Sequence, residues 1–197
     1  MNERPGGAWL GGTLVPGRAD RPLLSVVKFG GSLMTRPDWP ELARALVAGF
    51  PNCLLVVGGG TVVEGLRALD ATAPGDPGIV HRLALDGMRI TARFVAARLR
   101  LETVAEPAAR GTAVLDVATW LDAAPARHEG LEASWSVTSD SLAARVAAVH
   151  GAGLVLAKSV PPPAWDLGGL AASGWVDASF PAVARGLTDV AWRAPAS

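Results

Sequence analysis

Short apolar blocks alternate along this chain with stretches whose apolar positions recur every three or four residues. Residues 23–29, 53–57 and 153–157 are nearly continuous runs of Val, Leu and Ala, the pattern of strands buried on both faces. Residues 102–106 and 113–117 read as further strands, and a short one lies near 189–192. Between them, residues 39–50 carry a helical pattern with Pro40 placed for its first turn, and Thr61 is a suitable cap for a helix reaching Leu69. The longest helical pattern spans 79–101, with Ile79, Leu83, Gly87, Ile90, Phe94, Ala97 and Leu101 on one face and Arg82, Asp86, Arg89, Arg93 and Arg100 on another. A short helix is expected at 119–124. Another spans 139–150, with Leu142, Val146 and Val149 on its buried side. Pro161-Pro162-Pro163 ends regular structure, and a weak helix and a helical turn at 181–187 follow. Alternating strands and helices predict the α/β class, a three-layer αβα sandwich around a mainly parallel sheet. Residues 1–22 read as a flexible tail in which Trp9-Leu10 and Leu14-Val15 could pack locally, and residues 23–197 as a single domain.

Two of the strands end in glycine: Lys28-Phe29-Gly30-Gly31-Ser32 and Val56-Val57-Gly58-Gly59-Gly60-Thr61. In an open α/β sheet the ligand site lies beyond the carboxyl ends of the strands. Glycine lets backbone approach a phosphate there, and a following helix start offers free N–H groups and a partial positive charge. Lys28 adds a full charge suited to bridging the oxygens of a transferring phosphoryl group. Parallel strands put both glycine turns on one edge, so they are expected to face one another across a binding cleft. Neither is a Walker motif, and the G-x-G-x-x-G dinucleotide fingerprint is missing. Ser134-Trp135-Ser136-Val137-Thr138-Ser139-Asp140-Ser141 leads into the helix at 139. Asp140 fits either an ordinary helix start or a carboxylate orienting lysine ammonium groups, with Thr138 and Ser139 beside it. Trp135 suits either the core or the cover of a flat substrate ring, and His81 either packing or a substrate contact. Lys158 closes a strand as Lys28 does.

Composition removes several alternatives. Eighteen basic and eighteen acidic side chains cancel, which argues against nucleic-acid or anionic-membrane partners. Half of the 197 residues are apolar and 18% are charged, enough to bury a real core. Cys53 is the single cysteine, so no disulfide framework or thiolate zinc site is possible within one chain, and His81, His128 and His150 show no metal-ligand spacing, so no residue is assigned to a metal. No apolar run reaches membrane-spanning length, and residues 1–20 lack a charged-then-apolar signal pattern, which predicts a cytoplasmic protein.

Lys28-Phe29-Gly30-Gly31-Ser32, the Gly58-Gly59-Gly60 loop and Thr138-Ser139-Asp140-Ser141 together resemble the amino acid kinase superfamily, which includes aspartokinase, acetylglutamate kinase, uridylate kinase and isopentenyl phosphate kinase. More narrowly, Gly58 through Asp70, His81 through Met88, the Ser134-Trp135 segment and Leu154 through Val160 resemble its small aspartokinase-like branch. That branch includes a kinase converting an aminomethyl-furan-methyl phosphate to its diphosphate in methanofuran synthesis, and bacterial relatives tied to one-carbon metabolism. The resemblance covers roughly residues 25–181. It implies an ATP- and Mg2+-dependent kinase acting on a small phosphorylated molecule and assembled as a dimer or larger homo-oligomer. Lys28, Asp140 and Lys158 would be catalytic. Gly30, Gly31, Ser32, Thr138 and Ser139 would hold nucleotide phosphates, and Gly58, Gly59, Gly60, His81 and Trp135 the acceptor. Where many relatives end a strand in an Asp-x-Asp-Gly turn serving the nucleotide, this chain reads Lys158-Ser159-Val160-Pro161. A carboxylate or hydroxyl acceptor, or a non-catalytic anion-binding role, remains compatible with the same residues.

Overall fold

Strand β2 (Ser25–Phe29) is buried at every position after Ser25, as a parallel strand covered on both faces must be. It lies at the centre of a computed structural model that describes residues 8–17, 23–108 and 110–196. The other strands are β1 (Trp9–Val15), β3 (Asn52–Val57), β4 (Thr103–Val104), β5 (Gly111–Leu115), β6 (Gly153–Ala157) and β7 (Val190–Pro195). They form one sheet in the order β1-β7-β6-β2-β3-β5-β4, parallel throughout except for the antiparallel β1–β7 pair.

Period-two alternation divides the core in two. Val27, Phe29, Leu55 and Val57 pack against Trp39 and Leu42 of α1 (Trp39–Ala48) and Val95 of α3 (Pro77–Leu99). On the opposite face Val26, Leu54, Leu154 and Leu156 meet a second group of helices. These are α4 (Val117–Asp122), α5 (Ser139–His150), α6 (Leu167–Ala172) and α7 (Phe180–Val183), which bring Trp120, Leu142, Leu170 and Phe180 into that cluster. The result is the three-layer αβα sandwich that the alternation of elements predicts. Helix α2 (Gly60–Thr72) buries no residue of its own and lies along α3. Among the described residues no helix is long and apolar enough to cross a membrane.

Local chemistry sets the ends of the helices. The Asp76 side chain accepts the Ile79 N–H at 3.0 Å and Pro77 occupies the first turn, so α3 begins before Ile79. Asp116 caps α4 through the Thr119 N–H, which starts that helix two residues ahead of the expected position. Helix α5 stops at Gly151, whose φ of 59° is left-handed.

Two expectations need correction, the unstructured tail and the burial of Val149, and the direction of the α3 stripe, which its periodicity leaves open, is now fixed. The predicted tail contains a strand: Trp9–Val15 pairs with β7, and the Trp9 indole N–H donates to the Leu42 carbonyl at 3.0 Å. Residues 1–7 and 18–22 of that tail lie outside the described residues. In α3 the bulky apolar stripe faces outward, with Ile79, Ile90 and Phe94 exposed by 63%, 60% and 55%. Small buried residues on the other side, Thr91, Ala92 and Ala96, allow the close approach, and Gly87, within the stripe itself, is buried against α2. A Cβ on Gly87 would stand 2.9 Å from Val63 Cγ2. Val149 of α5 is also exposed, whereas Leu142 and Val146 are buried as expected.

Candidate active site

Alternation along β2 sends Val26 and Lys28 to the face covered by α5. Lys28 is in register with Leu156 of β6, so Lys158 follows on the same face one pleat further along the neighbouring strand. Asp140, in the first turn of α5, stands between them. Its Oδ1 lies 2.9 Å from Lys28 Nζ and its Oδ2 lies 2.6 Å from Lys158 Nζ. Lys28 and Asp140 are each 4% exposed, and the Lys158 side chain is 13% exposed. These are the two lysines of the whole chain; every other basic residue is arginine. A sequence that uses arginine everywhere else has placed both lysines on one buried carboxylate.

The electrostatics follow from that arrangement. Burial raises the Asp140 pKa, but Lys28 and Lys158 outweigh it and hold the carboxyl below its usual range. Burial and the neighbouring Lys28 lower the Lys158 pKa to about 8, against the pull of Asp140. The Trp175 carbonyl accepts from Lys158 Nζ at 2.6 Å, and the Trp175 ring centroid lies 5.1 Å from it. The ion pairs of both ammonium groups run to the one carboxylate, which leaves a surplus positive charge suited to an incoming anion.

The glycine turns meet beside this centre, and they divide the work. The Gly30 N–H donates to the Ala157 carbonyl and the Gly58 N–H to the Phe29 carbonyl, each at 2.9 Å, so both are committed to the sheet. Gly31, Gly59 and Gly60 donate no backbone bond outside their own helices among the described residues. A Cβ on Gly31 would lie 2.5 Å from the Gly60 nitrogen, and one on Gly58 would lie 2.8 Å from the Gly31 nitrogen. Gly31→Ala is therefore expected to lose about 1–3 kcal/mol of stability, because backbone on the other turn must move. Gly65→Ala, in open space on α2, is expected to gain about 0.5–1 kcal/mol. Urea denaturation of the two variants measures both signs; equal effects would contradict the close approach.

A cavity of about 420 Å3 opens next to the turns and is lined by Gly31, Gly60, Val63, Met88, Trp135 and Leu142, among others. Ser32, Thr138, Ser139 and His81 also reach its wall. Lys28, Asp140 and Lys158 do not line it; they adjoin it through Gly31 and Ser139. The Trp135 indole N–H donates to Asp70 Oδ2 at 2.7 Å, and the Arg67 guanidinium stacks 4.3 Å from the Trp135 ring. The backbone N–H of Gly75 and the indole N–H of Trp135 lower the Asp70 pKa. Burial lowers the pKa of His81, which disfavours its charged form.

The residues singled out in the sequence thus gather in one place, with two qualifications. Thr138 directs both its N–H and its hydroxyl to Asp177, at 3.0 and 2.8 Å, so its donors are already engaged. The Ser32 hydroxyl donates to Ser159 at 3.2 Å and links the turns after β2 and β6. Arg67, Asp70, Trp175 and Asp177 escaped the sequence reading. A count of lysines would have tied Lys28 to Lys158; no local pattern marks the other four.

The order of strands and the layers of helices can be compared with known structures. The chain superimposes on the crystal structure of uridylate kinase from Archaeoglobus fulgidus with a TM-score of 0.60. The likeness spans 87% of this chain and 90% of that one, at 12% identity. The fold is that of uridylate kinase. No protein-family model matches the sequence, and no curated protein matches it. The amino acid kinase fold, shared with uridylate kinase, therefore stands on architecture.

Proposed function

We propose that this chain is an ATP-dependent small-molecule kinase that transfers the γ-phosphoryl group of Mg-ATP to a phosphate monoester. An aminomethyl-furan-methyl phosphate, converted to its diphosphate in a methanofuran-type cofactor pathway of one-carbon metabolism, is the favoured acceptor. The observation that carries the reading is the convergence of both lysines on Asp140 beside two facing glycine turns. The surplus charge fits a triphosphate, as do the N–H groups of Gly31, Gly59 and Gly60. Among the described residues no group of three or more His, Cys, Asp or Glu is gathered to hold a metal. Magnesium, where bound, would supply charge neutralisation at the nucleotide phosphates.

A phosphate monoester oxygen is already anionic near neutral pH, so no general base is required. Catalysis is then alignment and charge neutralisation. Lys28 and Lys158 face the transferring group, Asp140 keeps both ammonium groups apart and oriented, and the glycine N–H groups hold flanking oxygens. The body of the acceptor rests against Val63, Met88, Leu142 and Trp135. The His81 imidazole on the same wall can hydrogen-bond to it.

ADP release from Mg-ATP across an acceptor panel tests the proposal. The panel holds the furan phosphate, its alcohol, UMP, isopentenyl phosphate, aspartate and glutamate, with Lys28→Ala as control. Release confined to the furan phosphate and lost in the variant is expected. Release with a carboxylate, trapped by hydroxylamine as an acyl phosphate, moves the acceptor class. Tight Mg-ATP binding with no release from any acceptor supports a non-catalytic nucleotide-binding role instead.

The same reading includes a cytoplasmic homo-oligomer. The outward stripe of Ile79, Leu83, Ile90 and Phe94 on α3 supports a self-association surface, since lone apolar residues are common on surfaces but an aligned stripe is not. Ile90→Glu is expected to shift the light-scattering mass to that of a 20.2 kDa monomer. An unchanged oligomer mass would exclude this stripe as the interface.

A further inference from the structure

The structure assigns Asp177 as a positioning residue for the lysine centre, clamping the start of α5 to the segment that holds Lys158. Its Oδ2 accepts the Thr138 N–H at 3.0 Å, the Thr138 hydroxyl at 2.8 Å and the Ser141 N–H at 3.0 Å. Its Oδ1 accepts the Ser141 hydroxyl and, at 3.2 Å, the Ser179 N–H. The N–H groups at a helix start have no partner within the helix, and a neighbouring side chain ordinarily supplies one. Here the in-line cap is weak, with Thr138 Oγ1 3.5 Å from the Asp140 nitrogen. A carboxylate from a distant segment does the work, and its charge suits the positive end of the helix.

The segment that carries Asp177 also touches the reacting side of the site. Two residues earlier, the Trp175 carbonyl takes Lys158 Nζ, and the Trp175 indole N–H holds the Val160 carbonyl at 3.0 Å. Two residues later, the Ser179 N–H and hydroxyl reach the Ser136 carbonyl and hydroxyl, each at 3.3 Å. Residues 175–179 therefore tie together the exit of β6, the start of α5 and the loop that presents Trp135. Asp140 and the Trp175 carbonyl, the two acceptors of Lys158, are held in relation to one another through Asp177. Lys158 also faces Lys28 from β2, and its own N–H donates to the Arg193 carbonyl of β7 at 2.9 Å.

Asp177→Asn keeps the shape but presents an amide nitrogen where Ser141 and Thr138 bring donors. The clamp opens, the Trp175 carbonyl leaves Lys158, and an ammonium that loses an acceptor is easier to deprotonate. The test is a 13C NMR titration of lysine labelled at Cε; the chain gives two signals, and Lys158→Met assigns them. In folded Asp177→Asn the Lys158 midpoint is expected to fall by about one pH unit. Turnover at pH 7 is expected to fall by about tenfold or more, with the KM for the acceptor little changed. A folded variant whose Lys158 midpoint matches the wild type overturns the assignment. If Asp177→Asn does not fold, Ser141→Ala and Thr138→Val each remove part of the clamp. Smaller shifts in the same direction are expected, and two unmoved midpoints are the contrary result. The turnover arm rests on the kinase reading; the titration does not. A wild type that releases no ADP fails that reading while the titration still decides the role of Asp177.

Discussion

Lys28→Ala is expected to fold and to transfer phosphoryl groups about 100- to 1000-fold more slowly, whereas Asp140→Ala is expected to lose its stability. The asymmetry comes from charge. Removing Lys28 leaves Asp140 paired with Lys158 at 2.6 Å, a balanced ion pair, and takes away the surplus positive charge. Removing Asp140 leaves two buried ammonium groups facing each other with no carboxylate between them. Breaking a buried pair in that way costs about 3–5 kcal/mol, a large part of the ~5–15 kcal/mol that holds a domain together. Urea denaturation and ADP release, measured on both variants, separate the two effects. Equal losses of stability in the two variants would contradict the geometry. Near-normal transfer by Lys28→Ala would remove Lys28 from the reaction.

Turnover and stability are expected to move in opposite directions above pH 8. Lys158 loses its proton with a folded-state pKa of about 8, against an ordinary value of 10.5. Between those values the unfolded chain binds more protons than the folded one, so stability rises with pH. Below about 8 the cost of burying a charged Lys158 is borne in full; it is relieved as pH climbs toward 10.5. The gain from this one group is of the order of a few kcal/mol, at about 1.4 kcal/mol per unit. Transfer depends on the charged ammonium, so its rate falls over the same interval. Lys158→Met is expected to flatten the stability slope. A wild-type rate that holds steady from pH 7 to 10 would exclude a charged Lys158 from the reaction.

The parts of this site that were legible in the sequence are those whose chemistry is local. Lys28 before Gly30-Gly31 and the triple glycine after β3 declare themselves because strand, turn and helix start are consecutive in the chain. Parallel pairing then guarantees that the two turns meet. Asp177 could not be read that way, since its role exists only when residue 177 packs against residues 138 and 141. Nothing in Trp175-Val176-Asp177 differs from an ordinary turn. Helix α3 shows the same limit. Its periodicity located the apolar stripe correctly, yet the sheet selected the face with small residues because that face could approach more closely. The strand at Trp9–Val15 was obscured by Gly11 and Gly12, which weaken a strand pattern. A Cβ on Gly12 would stand 2.8 Å from Trp192 Nε1, so glycine there makes room for the partner strand.

That same strand ties the order of synthesis to the order of folding. Trp9 pairs with Pro195 and Thr13 with Ala191, so β1 emerges from the ribosome long before its partner. Its contacts with β7 close one of the longest loops the chain contains, and such contacts are slow to form. Until then Trp9 and the open edge of the sheet stay available to other chains. A circular permutant that joins the ends and opens the 73–76 loop between α2 and α3 would place β7 before β1 and turn this closure into a local hairpin.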